Sequence, residues 1–177
     1  MTENILIAGF GGQGIMSMGQ MLCHGGMVEG REVSWLPSYG PEMRGGSANC
    51  MVIVSDSPIG SPVFSKANCF IAMNLPSLDK FEGSVLPGGR LLINSSLIGR
   101  KADRTDIDVY YIPANDIANE LGNSRVAGMV MLGAYLKISG VMKQESMLGA
   151  LKKVLGEKKT DLIPVNQKAL ERGAGLV

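Results

Sequence analysis

The stretch Ile5-Leu6-Ile7-Ala8-Gly9-Phe10-Gly11-Gly12-Gln13-Gly14 decides the fold. It begins as an apolar strand, passes directly into a glycine-rich turn and predicts a helix behind it. Gly9, Gly11 and Gly14 have the G-x-G-x-x-G spacing, and Gly12 adds a fourth glycine. Without Cβ atoms, the backbone N–H groups of such a turn can approach a ligand, and the helix behind it presents a partial positive charge. The stretch therefore predicts a place where an anion or another protein's backbone comes close.

The composition predicts one globular α/β domain over residues 1–177. Apolar residues make up 45% and charged residues 19% of the chain, which excludes a disordered segment. The chain is long enough to bury a full core. It contains 24 glycines but only 5% aromatic residues, which favours many tight turns and close backbone packing.

Charge and cysteine usage exclude several classes of function. The net charge is +1 and no basic block is present, which argues against a nucleic-acid partner. Cys23, Cys50 and Cys69 are widely spaced and His24 is the single histidine, so we expect neither a metal site nor an iron–sulfur cluster held by this chain. We expect the cysteines to be small core residues, and the lack of a disulfide framework favours a reducing, cytoplasmic setting. No long apolar run or signal-like segment is present, so we expect no membrane association.

Hydrophobic periodicity predicts alternating strands and helices. This order is typical of an open, mostly parallel, doubly wound sheet with helices on both faces and a Rossmann-like strand–turn–helix at the start. The predicted strands are 4–8, 32–36, 47–55, 68–73, 90–94 and 109–112. The predicted helices are 14–28, 75–81, 114–121, 125–138, 143–155 and 164–172, and 95–108 is expected to be a polar surface excursion.

The glycine turn leaves several functions open. A dinucleotide site would need an acidic ribose ligand at the end of the second strand, but that strand ends in Trp35-Leu36-Pro37. Gln13 also departs from the dinucleotide pattern. The turn could instead bind another anion, such as a phosphate of coenzyme A, or dock on a partner subunit. It could also be needed only for packing.

A second polar stretch, Ser38-Tyr39-Gly40-Pro41-Glu42-Met43-Arg44-Gly45-Gly46, follows the second strand. We expect it to lie at the same sheet edge as the glycine turn, because strand ends line the crevice of such sheets. Arg44 could bind a carboxylate or phosphate in bidentate fashion. A solvated loop with an Arg–Glu pair is the simpler alternative. With one histidine in the chain, no catalytic triad can be assembled, so no catalytic residue is predicted.

Together, the Gly9–Gly14 turn and the loop extended to Cys50 resemble the gamma subunit, or gamma domain, of 2-oxoacid:ferredoxin oxidoreductases. The similarity continues through Asn74–Phe81, Pro87-Gly88-Gly89, Asn123–Leu136 and Asn166–Gly173. It implies a heteromeric enzyme that oxidatively decarboxylates a 2-oxoacid, makes an acyl-CoA and reduces ferredoxin. The loop sequence is more similar to the 2-oxoglutarate type than to the pyruvate type, and branched-chain and indolepyruvate relatives are alternatives.

The resemblance also implies a division of labour. Thiamine diphosphate and Mg²⁺ would lie between alpha and beta subunits, and [4Fe-4S] clusters would be held by beta and delta-type, ferredoxin-like chains. This chain would bind none of them alone. The residues expected to shape the coenzyme A or partner crevice are Gly11, Gly12, Gln13, Gly14, Tyr39, Glu42 and Arg44. A standalone NAD(P)-linked oxidoreductase and a purely structural assembly subunit are the alternatives.

Overall fold

A computed structural model describes residues 1–38 and 46–177. The six strands are β1 (Thr2–Phe10), β2 (Glu32–Ser38), β3 (Ser47–Ser55), β4 (Ala67–Ala72), β5 (Val85–Asn94) and β6 (Asp108–Ile112). The six α-helices are α1 (Ile15–Val28), α2 (Leu75–Phe81), α3 (Ala114–Glu120), α4 (Ala127–Ser139), α5 (Gln144–Leu155) and α6 (Ile163–Ala174). Short 3₁₀ segments cover Glu82–Ser84, Ser124–Val126 and Glu157–Leu162. Every strand and helix predicted from the sequence is present, and the ends are shifted by at most two residues except in β5. That strand begins at Val85, five residues before the predicted start, and includes Pro87-Gly88-Gly89.

The strands form one open sheet in the order β2-β3-β1-β4-β5-β6. Strands β1, β4, β5 and β6 are parallel neighbours, as predicted. Strand β3 runs antiparallel to both β1 and β2, which makes the sheet mixed. The reason is that β2 and β3 form a hairpin beside β1, so β2 is not the neighbour of β1.

Helices cover both faces of the sheet, which confirms the predicted α/β class. One buried cluster joins the sheet to α1, α3, α4, α5 and α6. The opposite cluster contains α2 and the segment that precedes β6. That segment is not wholly a surface excursion, because Ile98 is buried in the second cluster. Within the described ranges, no helix is both long and apolar enough to cross a membrane.

Helix α1 lies close to the sheet because two glycines face it. A Cβ atom at Gly19 would lie 2.6 Å from Trp35 Nε1, and one at Gly26 would lie 2.7 Å from Val33 Cγ1. The predicted apolar face of this helix is buried. Because α1 begins only five residues after β1 ends, its start and the glycine turn lie at the carboxyl end of β1.

Candidate functional site

The side chain of Gln13 holds the glycine turn in place. Its Oε1 accepts a hydrogen bond from the Phe10 N–H at 2.6 Å, and its Nε2 donates to the Met73 carbonyl at 3.2 Å. The carboxamide thereby ties the end of β1 to the residue that follows β4. Gly9 provides the room, because a Cβ atom there would lie 2.5 Å from Gln13 Oε1. The carboxamide thus has a structural role within the turn.

Two positive φ angles turn the backbone into α1. Gly12 has φ 92° and Gly14 has φ 77°, a region that residues with a Cβ atom rarely adopt. Gly14 is the N-cap of α1 and supplies no side-chain cap, and no acidic residue lies in the first turn. The N–H groups of that turn lack intrahelical acceptors by helix geometry. They can therefore donate to an external acceptor, which the positive end of the helix favours if it is an anion.

A cavity of about 510 Å³ lies beside this turn. Its walls come from residues 12–14 and the first turns of α1, the start of α4, the end of α5, and the segment that leads into α6. Its floor is apolar and buried, with Met18, Met21, Val126, Met129 and Leu151 at 7% exposure or less. A volume of this size fits a small organic ligand.

The cavity is polar and basic at its rim. Arg125 and Lys159 contribute cations, and Asn123 and Ser17 contribute an amide and a hydroxyl. Asn123 also caps the 3₁₀ segment before α4, accepting a hydrogen bond from the Arg125 N–H at 3.0 Å. No acidic residue lies among the described residues that line the cavity. This arrangement suits an anionic ligand with an apolar part.

The structure describes only some of the predicted site residues. Gly12, Gln13 and Gly14 line the cavity. Gly11 points its N–H elsewhere, to the Gly46 carbonyl at 3.3 Å. Tyr39, Glu42 and Arg44 lie outside the described residues.

The two described ends of their loop lie where the sequence predicted. Ser38 ends β2, and Ser47 pairs with Phe10 at the end of β1. The loop therefore leaves and re-enters the sheet at the edge that carries the glycine turn.

Sequence reasoning missed the basic rim. Arg125 is the first residue of the predicted helix 125–138, which was expected only to be buried, and Lys159 lies in a charged stretch that resembles an ordinary solvated segment. Because the rim residues come from separate parts of the chain, no local motif marks them.

The cysteines are buried, as predicted. Burial raises the pKa of the Cys23 and Cys50 thiols to about 12 and also raises the pKa of Cys69. All three are therefore protonated near neutral pH, unlike a reactive thiolate. His24 is half-buried on α1, and its Nδ1 has no hydrogen-bond partner within the described residues.

Relatives of this chain are oxidoreductase subunits. Ketoisovalerate oxidoreductase subunit VorA of Methanothermobacter marburgensis is 40% identical over 172 residues, which cover 96% of this chain and 35% of VorA. The chain thus spans about a third of the length of that relative. The 2-oxoglutarate synthase subunit KorC of Methanocaldococcus jannaschii is 34% identical over 85% of this chain and 82% of its own length.

Structure and family comparisons agree with these relatives. The gamma subunit of a keto/oxoacid ferredoxin oxidoreductase from Geobacter sulfurreducens PCA has a TM-score of 0.83 at 27% identity, and the match covers 97% of this chain and 95% of that one. The family model described as pyruvate ferredoxin/flavodoxin oxidoreductase matches residues 4–176. The chain therefore belongs to the pyruvate ferredoxin/flavodoxin oxidoreductase family.

Proposed function

We propose that this chain is the gamma subunit of a heteromeric 2-oxoacid:ferredoxin oxidoreductase, with residues 1–177 forming one gamma domain. The complex, expected in the cytoplasm, oxidatively decarboxylates 2-oxoglutarate or a branched-chain 2-oxoacid in the presence of coenzyme A. The products are an acyl-CoA, CO₂ and reduced ferredoxin. The observation that carries the proposal is the family match over residues 4–176, together with VorA and KorC as relatives.

The partners are alpha and beta subunits that bind thiamine diphosphate and Mg²⁺, and delta-type, ferredoxin-like subunits that hold [4Fe-4S] clusters. The described part of this chain does not fit an iron–sulfur cluster. Its three thiols are buried on α1, β3 and β4 with raised pKa values, and no group of three potential metal ligands occurs in residues 1–38 and 46–177. We therefore assign the redox groups to the partners.

The chemistry of the cavity supports coenzyme A as a ligand of this chain. The cavity at the glycine turn combines an apolar floor with a basic rim, and coenzyme A combines a pantetheine arm with phosphates. Gly12 and Gly14 would approach the ligand with their backbone, while Gly11 and Gln13 keep the turn in shape. Tyr39, Glu42 and Arg44 would close the crevice against the catalytic subunits.

The sheet order argues against the NAD(P)-linked alternative. In a dinucleotide fold, the acidic ribose ligand lies at the end of the strand next to β1. Here β3 separates β2 from β1, and β2 ends in Leu36-Pro37-Ser38 without an acid. Micromolar binding of NAD(H) to the purified chain would favour that alternative.

Copurification tests the proposal. The chain, coexpressed with the alpha, beta and delta-type subunits proposed as its partners, is expected to purify with them as one complex. That complex should reduce ferredoxin with 2-oxoglutarate or 2-oxoisovalerate and coenzyme A, and omission of this chain should abolish the activity. A complex that assembles and works fully without this chain would contradict the proposal.

Hydrogen exchange in the assembled complex distinguishes a purely structural subunit from one that binds coenzyme A. Coenzyme A should protect the backbone amides of residues 12–14 and those of residues 39–44 other than Pro41. A complex whose amides in both segments are unaffected by saturating coenzyme A would favour the structural role.

A further inference from the structure

We propose that Arg125 and Lys159 bind the phosphates of a nucleotide-type ligand whose apolar part lies on the methionine-rich floor of the cavity. The inference rests on the proposed function for the identity of the ligand, because coenzyme A is the molecule of this class that the reaction consumes. It assigns the phosphate-binding role to two residues remote in sequence from the glycine turn.

The charge of the cavity is the first support. Three helices begin at its wall: α1 after Gly14, α4 after Val126 and α6 after Leu162. Each contributes the partial positive charge of its N-terminus, within the first turn where that effect is felt. The C-terminus of α5 also lies in the wall and contributes a partial negative charge, but the three N-termini and the two cations outweigh it, and no carboxylate lines the cavity among the described residues.

Arg125 differs from the other arginines in its pairing. Of the six arginines in the described ranges, five form salt bridges with carboxylates: Arg31, Arg90, Arg100, Arg104 and Arg172. Arg125 has no carboxylate partner within these ranges and lies exposed at the rim. The planar guanidinium suits bidentate recognition of a phosphate, and Lys159, in the segment that leads into α6, adds a point charge to the same cavity.

The interior of the cavity suits the part of the ligand that carries no phosphate. Met18, Met21 and Met129 form a polarisable, adaptable surface that suits an apolar arm or a base. Asn166 is 92% buried in the wall, with 8% of its surface exposed. Its Nδ2 donates to the Leu162 carbonyl at 2.8 Å, and its Oδ1 has no partner among the described residues. That oxygen can accept a hydrogen bond from a ligand N–H or O–H, a kind of donor that the organic part of a nucleotide-type ligand supplies and inorganic phosphate largely lacks.

The experiment measures binding to the purified chain by isothermal titration, because all the walls described here belong to it. The probes are coenzyme A and pantetheine, which lacks the phosphates. We expect pantetheine to bind at least about tenfold more weakly than coenzyme A. We expect the double variant Arg125→Glu with Lys159→Glu to lose at least about tenfold in affinity for coenzyme A and little for pantetheine. Affinity for coenzyme A should also fall with salt in the wild type and less in the variant.

Lys158→Glu is the matched control, since Lys158 is an exposed neighbour that does not line the cavity. It should leave binding close to wild type. Circular dichroism and urea unfolding verify that each variant is folded. If the double variant with two glutamates does not fold, Arg125→Gln with Lys159→Gln is used in its place.

Unchanged affinity in the folded double variant, equal affinity for pantetheine, or no binding of coenzyme A to the wild type would overturn the inference. Normal coenzyme A binding with lost association to the alpha and beta subunits would mean that a partner chain occupies the cavity instead. Copurification reports on the proposed function separately. A chain that binds coenzyme A through Arg125 but joins no complex would support the inference and contradict the function.

Discussion

Gln13 shows what one residue can reveal in sequence and what it cannot. Its departure from the dinucleotide pattern is visible in the sequence and argued against an NAD site. Its actual role depends on Met73, which lies 60 residues away and comes within reach only when β4 pairs with β1. A partner that distant leaves no local pattern, so the clamp could not be predicted from residues alone.

The backbone at Gly14 leads to a prediction about stability. Because its φ is 77° and a Cβ atom there would meet nothing within 4 Å, Gly14→Ala should cost only conformational energy, about 1–2 kcal/mol. Gly149→Ala, in α5 with equally open space and no positive φ, should instead stabilise by about 0.5–1 kcal/mol. Urea unfolding of the two variants checks both signs. Equal effects of the two substitutions would contradict the strained backbone at Gly14.

Arg44 gives a prediction about function. Arg44→Ala should reduce coenzyme A-dependent turnover or assembly of the complex, because the proposal assigns the Arg44 guanidinium to bidentate binding of an anionic group. The isolated chain should remain folded, as measured by circular dichroism. Wild-type activity in a complex reconstituted with this variant would remove Arg44 from the site.

At the scale of elements, the sequence predicts which strands and helices exist better than it predicts how the strands pair. The periodicities of β2 and β3 identify both strands, yet the antiparallel direction of β3 is a property of the hairpin. Both strands carry enough apolar residues to suit a parallel or an antiparallel neighbour, so their composition does not distinguish the two. The segment before β6 is a similar case. Its polarity suggests a surface excursion, but buried Glu82 accepts hydrogen bonds from the Asp103 and Arg104 N–H groups and holds it against the core.

Helix α5 depends on a cap supplied by another helix. Its own N-cap, Lys143, makes no side-chain cap hydrogen bond. Instead, Glu29 at the end of α1 accepts hydrogen bonds from the Lys143 N–H at 2.6 Å and from the Ser146 hydroxyl at 2.7 Å. Partial burial opposes the effect, but these hydrogen bonds hold the pKa of Glu29 below its usual 4.5.

Glu29→Ala should therefore lower the free energy of unfolding by about 1 kcal/mol at pH 7, as expected for a lost helix cap. A lowered pKa means that the contribution of the charged carboxylate is fully present above pH 4.5 and is lost as the pH falls through the folded-state pKa. The difference between wild type and variant should shrink accordingly in urea titrations between neutral and acidic pH. Glu145→Ala, an exposed acid in the first turn of α5, serves as the control and should have a smaller effect. A difference for Glu29→Ala that persists unchanged in acid would contradict the charged cap.

At the scale of the whole molecule, the cavity exists because helices from distant parts of the chain pack closely. Its walls combine the first turn of α1 with segments more than 100 residues later. The sequence predicted each of these helices but not the space between them, since a cavity depends on how the helices approach one another. The approach of α6 to α4 relies on two glycines that face the opposite helix backbone. A Cβ atom at Gly173 would lie 2.8 Å from the Val130 carbonyl carbon, and one at Gly133 would lie 2.8 Å from the Leu170 carbonyl carbon.

Gly173→Ala should consequently push α6 away from α4, because backbone atoms cannot yield as a flexible side chain can. Overpacking of this kind costs about 1–3 kcal/mol, and we expect the free energy of unfolding to fall by that amount. Since α6 also carries Asn166 into the cavity wall, affinity for coenzyme A should fall together with stability. Gly175→Ala is the matched control, as its Cβ atom would be in ordinary contact at 3.4 Å, and it should change neither quantity appreciably. Urea unfolding and titration calorimetry measure the two effects. Loss of stability with unaltered coenzyme A affinity would separate the packing of α6 from the cavity and show that the ligand binds elsewhere.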